Sequence, residues 1–433
     1  MANTTTPDPS TAARASDRRI IVAVIVSTFF VGFGGGVVFP ILPNLGAVLG
    51  ISAFMVGVIL SANRFVRLVA NAPAGAFVDR VGTRKPFVAG LVIEGIATFG
   101  YVVALLVPDP APGASIIVAF LLAPETWFMV ARILWGFGSA LVFATAYTIA
   151  ADVSDAGDRG TNMGVVRAGI TLGFPAGLVL GGVVSALYGN ATAFVVAAVF
   201  ALLASLIAYL IVPETHVEGG GSTSVKPWDV DLTVPAVTVG LVNFGLYFAY
   251  IGALFATLVL FLGANDLAVF GLDAQGTSGI FMAGTVLAAG AMTIAGGRLS
   301  DVYGARTPVL VGFLVVAFVG FLLLARAGSI VELALACLFI GAGQGGTSSP
   351  LMALLADLTP NERMGRATGT NNVFGDIGGG LGPMVSLPLV EIVGFGPVYA
   401  ACAVIPLLAG GVLLLGVRTE TGTFVPGRRP TGP

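Results

Sequence analysis

The sequence predicts an all-α polytopic membrane protein whose twelve transmembrane helices form two pseudo-symmetric bundles of six. Three observations carry that expectation. The 433 residues are 56% hydrophobic and only 10% charged, with a mean hydropathy of +0.98, whereas a soluble domain carries roughly 25% charged residues. A charged turn occurs twice: Gly75-Ala-Phe-Val-Asp79-Arg80-Val-Gly82-Thr-Arg84-Lys85-Pro86 and Gly297-Arg-Leu-Ser-Asp301-Val-Tyr-Gly304-Ala-Arg306-Thr-Pro308 share G-x-x-x-D-x-x-G-x-R-x-P at an offset of 222 residues. The basic residues, finally, gather on one side of the predicted spans.

The elements follow in order. Residues 1–19 are polar, hold Arg14, Arg18 and Arg19, and lead into an apolar run too long for a signal peptide, so an uncleaved cytoplasmic tail is expected. A bilayer crossing needs about 20 apolar residues. Twelve runs qualify: 20–43, 52–78, 86–107, 127–151, 162–187, 191–213, 235–262, 275–298, 307–326, 330–355, 366–391 and 397–417. With the N-terminus cytoplasmic, 15 of the 20 basic residues fall on the cytoplasmic side, four lie within spans, and Arg326 alone is outside. An even span count returns the C-terminal tail, 418–433, to the cytoplasm, giving a multi-pass protein of the plasma membrane. The first bundle is placed at 20–213 and the second at 233–417. The linker between them, 214–232, holds Gly219-Gly220-Gly221 and the sole histidine, His216, read as solvated.

The halves align further. Arg132, Gly136 and Gly138 match Cys337, Gly341 and Gly343; Asp152, Gly164, Gly173 and Gly177 match Asp357, Gly369, Gly378 and Gly382, all 205 residues apart. The change of offset marks 17 extra residues in the first half, read as an outer-face insertion at about 109–125 with Ile116–Leu122 dipping into the membrane interface.

Parallel six-span repeats joined by a cytoplasmic linker are the design of major facilitator transporters. Gly75 to Pro86 resembles their signature between spans two and three, and 297–308 its echo. Arg132-Ile-Leu-Trp-Gly136-Phe-Gly138 resembles the span-four motif of proton-linked members, Phe39-Pro40-Ile-Leu-Pro43 the end of their first span, and the run Gly169, Gly173, Gly177, Gly181 the span-five antiporter motif. The chain is thus similar to the twelve-span drug/proton antiporter branch from residue 20 to about 417. It departs in two places. Leu178 stands where that motif has proline, with the Gly-Pro pair moved to Gly382-Pro383, and no acid lies between Ile20 and Pro43.

Several chemistries are excluded. The only lysines, Lys85 and Lys226, do not sit in a phosphate-binding loop, and one histidine cannot make a zinc-protease motif. No cofactor or metal is expected, a net charge of −2 gives no reason for a nucleic-acid partner, and Cys337 and Cys402 read as reduced core thiols. Lipid and a small-molecule substrate are the expected partners of a functional monomer driven by a proton gradient. Charges inside spans are the functional candidates, since each costs about 2.5–3.5 kcal/mol or more facing lipid. Asn63, Arg67 and Asn71, with Arg64 beside them, stripe span two; Glu94 and Asp376 lie at depths suited to these arginines. Both acids read either as structural ion pairs with Arg64 or Arg67 or as proton carriers. Arg132 reads as a coupling residue by resemblance or as an interhelical donor, and Arg167 completes the set.

The polar candidates for cargo contact are Asn63, Tyr147, Asn243, Tyr247, Tyr250, Gln344, Asn371 and Asn372. The turn residues Gly75, Asp79, Arg80, Gly82, Arg84, Gly297, Asp301, Gly304 and Arg306 read as a conformational latch, by resemblance, or as a topogenic turn. Asp152 with Arg159 and Asp357 with Arg363 read as repeat-related inner-gate pairs. The glycines at 169, 173, 177 and 181, with Gly382 and Pro383, read as close helix packing or as the antiport motif. The expected function is proton-coupled efflux of small amphipathic molecules by alternating access. The alternatives are an organic-anion or nutrient symporter or exchanger, which the surplus of intramembrane arginines favours, and a non-transporting sensor; an enzyme is not expected.

Overall fold

The computed structural model describes residues 9–108, 111–154, 159–215 and 230–426. The linker features Gly219–Gly221, His216 and Lys226, the basic residues Arg428 and Arg429, and the side chains of Arg14 and Arg159 lie outside what is described. Among the described residues there is no strand, and twelve helices are long and apolar enough to cross a membrane.

The helices are α1 (Pro9–Val48), α2 (Ala53–Val81), α3 (Arg84–Leu106), the short α4 (Ile116–Leu121), α5 (Pro124–Asp152), α6 (Arg159–Tyr188), α7 (Asn190–Ile211), α8 (Val234–Tyr247), α9 (Phe255–Ala264), α10 (Ala274–Tyr303), α11 (Arg306–Leu324), α12 (Ile330–Leu358), α13 (Met364–Val393) and α14 (Phe395–Thr421). A π-helical stretch, Phe248–Leu254, joins α8 to α9 into one span. Local chemistry sets the ends. Ser52 caps α2 by accepting from Met55 N, Asp273 caps α10 by accepting from Gly276 N, and Ser329 with Glu332 makes a capping box on α12. In both copies of the duplicated turn the second glycine ends a helix at positive φ, +94° at Gly82 and +66° at Gly304. That region is strained for any residue with a Cβ, which is why the motif has glycine there.

Packing repeats as the sequence does. In the first half α1 lies on α6, α3 on α5, α2 on α5 and α3 on α7; in the second, α8 and its π-helical continuation lie on α13, α11 on α12, α10 on α12 and α11 on α14. The halves meet along two equivalent seams, α2 with α13 and α6 with α10. The glycine run of α6 faces α1: a Cβ at Gly173 or Gly177 would strike the carbonyl oxygen of Phe29 or Phe33, and one at Gly181 would come within 2.7 Å of Val37 Cα. In the second half Gly378 meets Phe244 O and Gly382 meets Gly252 in the same way. Backbones this close gain dispersion and leave no room for lipid. The helix α4 is capped by Ser115 and its Ile116, Ile117 and Phe120 are exposed; residues 109 and 110 of the insertion lie outside the description.

Candidate functional site

The two seams are closed at one end of the molecule and open at the other. On α2 and α13, a Cβ at Gly57 would come within 2.6 Å of Pro383 O, and Ser61 Oγ donates to Gly380 O one turn further on. On α6 and α10, a Cβ at Gly182 would come within 2.6 Å of Gln275 O, and one at Gly279 would strike Leu178 O. Towards the duplicated turns the helices part. Asn71 and Asn372 are exposed, and a Cβ at Gly75, Gly365 or Gly369 would meet nothing within 4 Å. Gly365, Gly369, Asn372 and Asp376 share one face of α13 by helical spacing, so this face fronts open space.

A cavity of about 440 Å³ lies where the seams part, walled by α1, α2, α5, α6, α8, α10 and α13. Its polar groups are Asn63, Arg64, Arg67, Arg132, Thr171, Asn243, Tyr247, Asn372 and Asp376, and its apolar walls include Phe39, Trp135, Phe143 and Phe174. Arg64 Nη1 reaches Asp376 Oδ1 at 3.2 Å, and Arg67 Nη2 bonds the same oxygen. One carboxylate of the second half thus holds two guanidiniums of the first. The three side chains keep 15%, 20% and 14% of their surface exposed, for Arg64, Arg67 and Asp376. Arg67 also stands over the Phe143 ring, its Cζ 5.6 Å from the centroid.

Arg132 is 1% exposed and carries its charge into the first half on neutral acceptors. Its Nε donates to Ile59 O at 3.1 Å and its Nη2 to Leu60 O at 2.7 Å and to Asn63 Oδ1, while Trp135 lies 5.8 Å from its Cζ. Asn63 is therefore fixed on the cavity wall by Arg132.

Other candidates stand elsewhere. Glu94 is 1% exposed between α3 and α5, its Cγ facing Gly138, and its Oε1 has no hydrogen-bond partner among the described residues. The pairing of Glu94 with Arg64 or Arg67 that depth allowed does not form, because both arginines project from α2 towards α13. Tyr250 is buried against Phe255, Gln344 is buried within the second half, and Tyr147 packs with Val166 in a cluster near the turns. Asn371 points away from the cavity to Met352 Sδ, though its backbone oxygen accepts from Asn243 Nδ2 at 3.0 Å. Asn71 and Arg167 are exposed. The aromatic walls escaped the sequence reading because an apolar residue facing a cavity looks like one facing lipid. Phe39 and Trp135 nonetheless sat within quoted motifs.

At the turns, Arg306 Nη1 bonds Asp301 Oδ1 at 2.7 Å and its Nε bonds Asp357 Oδ2 at 3.0 Å. The inner-gate pairing of Asp357 with Arg363 is corrected: Arg306 occupies Asp357, and Arg363 is exposed where α13 begins. In the first half, Asp152 accepts from Thr215 Oγ1 at 3.0 Å, and Arg84 donates to Tyr209 O at 2.7 Å while stacking on that ring. Asp79 and Arg80 are exposed at the end of α2. Glu214 caps α3, its Oε1 accepting from Thr83 N at 2.7 Å and Thr83 Oγ1 at 2.9 Å.

With this geometry in place, comparison with known proteins gives a family. Residues 24–383 and 267–432 match the profile of the Major Facilitator Superfamily. Multidrug resistance protein 2 of Bacillus subtilis is 26% identical over 201 residues, 46% of each chain, so the match spans about half of that relative. Multi-drug resistance efflux pump PmrA of Streptococcus pneumoniae is 24% identical over 387 residues, 86% of this chain and 90% of that one. Among solved structures, a bacterial homolog of the human lysosomal transporter Spinster, inward-facing and unoccupied, superposes with a TM-score of 0.73 at 16% identity over 94% of this chain and 98% of that one. The human organic anion transporter MFSD10 does so with a TM-score of 0.61 at 20% identity, covering 92% and 99%. At these identities the superpositions show the fold alone.

Proposed function

The chain belongs to the Major Facilitator Superfamily, a family of membrane transporters, and from that premise we propose that it exports small amphipathic molecules by alternating access, driven by a proton gradient. The observation that carries this reading is the central cavity, flanked on one side by both closed seams and open on the other, with the Arg64/Arg67–Asp376 contact where the seam parts. A cavity with one open end, between two halves that touch along repeat-related seams, can exchange its opening by rocking one half on the other. The names of the sequence relatives, multidrug resistance and multi-drug efflux, support export as the direction. With the duplicated turns cytoplasmic and both termini beside them, as the basic residues favour, the cavity faces the cytoplasm and loads from it. The protein then works as a monomer in the plasma membrane, and the turn residues act as the latch that closes when the cavity opens outward.

Asp376 is the acid on the cavity wall, so proton and cargo meet there; Glu94 is the second candidate carrier, in the interior of the first half. Arginine does not cycle protons and serves to modulate the acid. The deciding experiment is flux into proteoliposomes under an imposed pH gradient for wild type, Asp376→Asn and Glu94→Gln. Loss of gradient-driven flux with retained counterflow exchange marks the carrier. Equal gradient-driven flux in all three removes proton coupling through either acid.

A further inference from the structure

We propose that the central cavity takes a cargo with one anionic group beside an aromatic ring system, and that this anion replaces Asp376 on Arg64 and Arg67. The inference rests on the transporter reading and specifies its cargo.

Charge balance comes first. The cavity wall presents Arg64 and Arg67 but one acid, Asp376, and Arg132 behind Asn63 is bound to carbonyl and amide oxygens. The field inside is therefore that of a net cation. Geometry comes second. Both guanidiniums contact the same oxygen, Asp376 Oδ1, so neither uses its two-pronged face on a carboxylate. A carboxylate or sulfonate approaching from the open side can engage that face with two parallel hydrogen bonds, stronger than a one-point contact. All three side chains remain partly exposed where the seam parts, so an incoming anion needs no prior opening to reach them.

The rest of the cavity fits the rest of such a molecule. Trp135, Phe143 and Phe174 line the same cavity with aromatic rings, and Arg67 already stacks over Phe143. The volume, about 440 Å³, is that of a pocket for a drug-sized ligand.

The exchange has a mechanical result. Asp376 meets Arg64 and Arg67 where the α2–α13 seam parts, beyond Ser61–Gly380 and Gly57–Pro383. A cargo anion that takes the arginines removes this ionic tie between the halves and leaves close glycine packing and the Ser61–Gly380 hydrogen bond to hold the far end of the seam shut. Loading thus favours the opposite opening, because the cargo binds more strongly where the tie is broken.

The test is equilibrium binding to the purified full-length protein in detergent, using 2-naphthoate, 2-naphthamide and 2-naphthylmethylammonium. The three share a ring and differ in charge. The acid is expected to bind about tenfold tighter than the amide, the advantage of a charge-assisted hydrogen bond over a neutral one. The cation is expected to bind weakest. Asp376→Asn is expected to tighten naphthoate binding by removing its competitor, and Arg67→Gln to abolish the preference for acid over amide while amide binding persists. Should Arg67→Gln not fold, as read by its thermal melt, Arg67→Lys and the wild-type ligand series decide. Equal binding of acid and amide, tightest binding of the cation, or weaker naphthoate binding in Asp376→Asn overturns the proposal. Binding in detergent requires no gradient, so absent pH-driven flux would sink the export reading and leave this result standing. Intact flux of a neutral dye without acid preference would sink the cargo class alone.

Discussion

Arg306 is bound to Asp357 at 3.0 Å across 51 residues of chain, closing the turn side of the second half. The repeat-related pair in the first half, Arg84 and Asp152, has other partners: Tyr209 for the arginine and Thr215 for the acid. Identical motif letters therefore hold different bonds in the two halves of one conformer. In the first half the exchange brings in Glu214 and Thr215, so the start of the inter-half segment is tied to the duplicated turn.

Removing that cap gives a first test. Glu214→Ala leaves Thr83 N without its acceptor at the start of α3, where Thr83 itself supplies no side-chain cap. The expected cost is about 1 kcal/mol, the usual value of an N-cap. It is read as a lowered melting temperature in detergent together with faster protease cleavage after residue 215, and an unchanged melt and cleavage rate would contradict the capping role.

For the second half, Arg306→Ala removes both Asp301 and Asp357 contacts at once. The acids are 59% and 37% exposed, so solvent screens much of the attraction and a loss of about 1 kcal/mol is expected. High salt should shrink the difference between variant and wild type. A difference that salt leaves untouched would show that packing, not charge, accounts for it.

Glycine substitutions separate packing from propensity. Gly382→Ala places a methyl into Gly252 and within 2.6 Å of Phe248 O, and is expected to destabilise by about 1–3 kcal/mol as overpacking does. Gly290→Ala meets nothing within 4 Å and is expected to stabilise by up to about 1 kcal/mol, since alanine is the better helix former. Opposite signs in thermal melts check the pair.

Arg132→Leu strips three hydrogen bonds from a site 1% exposed and releases Asn63. The carbonyls of Ile59 and Leu60 keep their place in α2, so the loss falls chiefly on Asn63. A destabilisation of about 1–3 kcal/mol is expected from the unsatisfied amide. Adding Asn63→Leu should recover part of it, and a double variant no more stable than the single would refute this division.

Much of this architecture was readable beforehand. The twelve spans stand within a few residues of the apolar runs, because lipid imposes both length and composition on a crossing helix. The 222-residue repeat foretold the matching of α2 with α10, and the spacing of Gly173 and Gly177 foretold a face that another helix can approach. The site was only half legible. Arg64, Arg67 and Asp376 announced themselves by charge, and depth put them in range. Which acid met which arginine depended on rotation about α2 and α3, and no period in the sequence fixes a rotation. The sequence therefore allows Glu94 and Asp376 the same two arginines, and the fold gives both to Asp376. Tyr250 and Gln344 lie off the wall of this cavity for the same reason: a polar group on a cavity helix need not be on its cavity face.

The π-helical stretch between Tyr247 and Phe255 carries a final consequence. There Gly252 lies on Gly382, and its carbonyl oxygen, displaced from α-helical register, accepts from Ser386 Oγ at 3.2 Å. A π turn houses one more residue than an α turn would. Deleting one residue between 248 and 254 would restore an ordinary helix and leave everything beyond it close to its present facing relative to Asn243 and Tyr247, because the π turn already absorbs the extra residue. Phe255, Leu258 and Leu262 would then stay interior, while the contacts made inside the π turn would be lost. The extra residue in this one span is consequently a local device: it seats Gly252 against Gly382 and turns a carbonyl to Ser386 while the helix on either side keeps its facing.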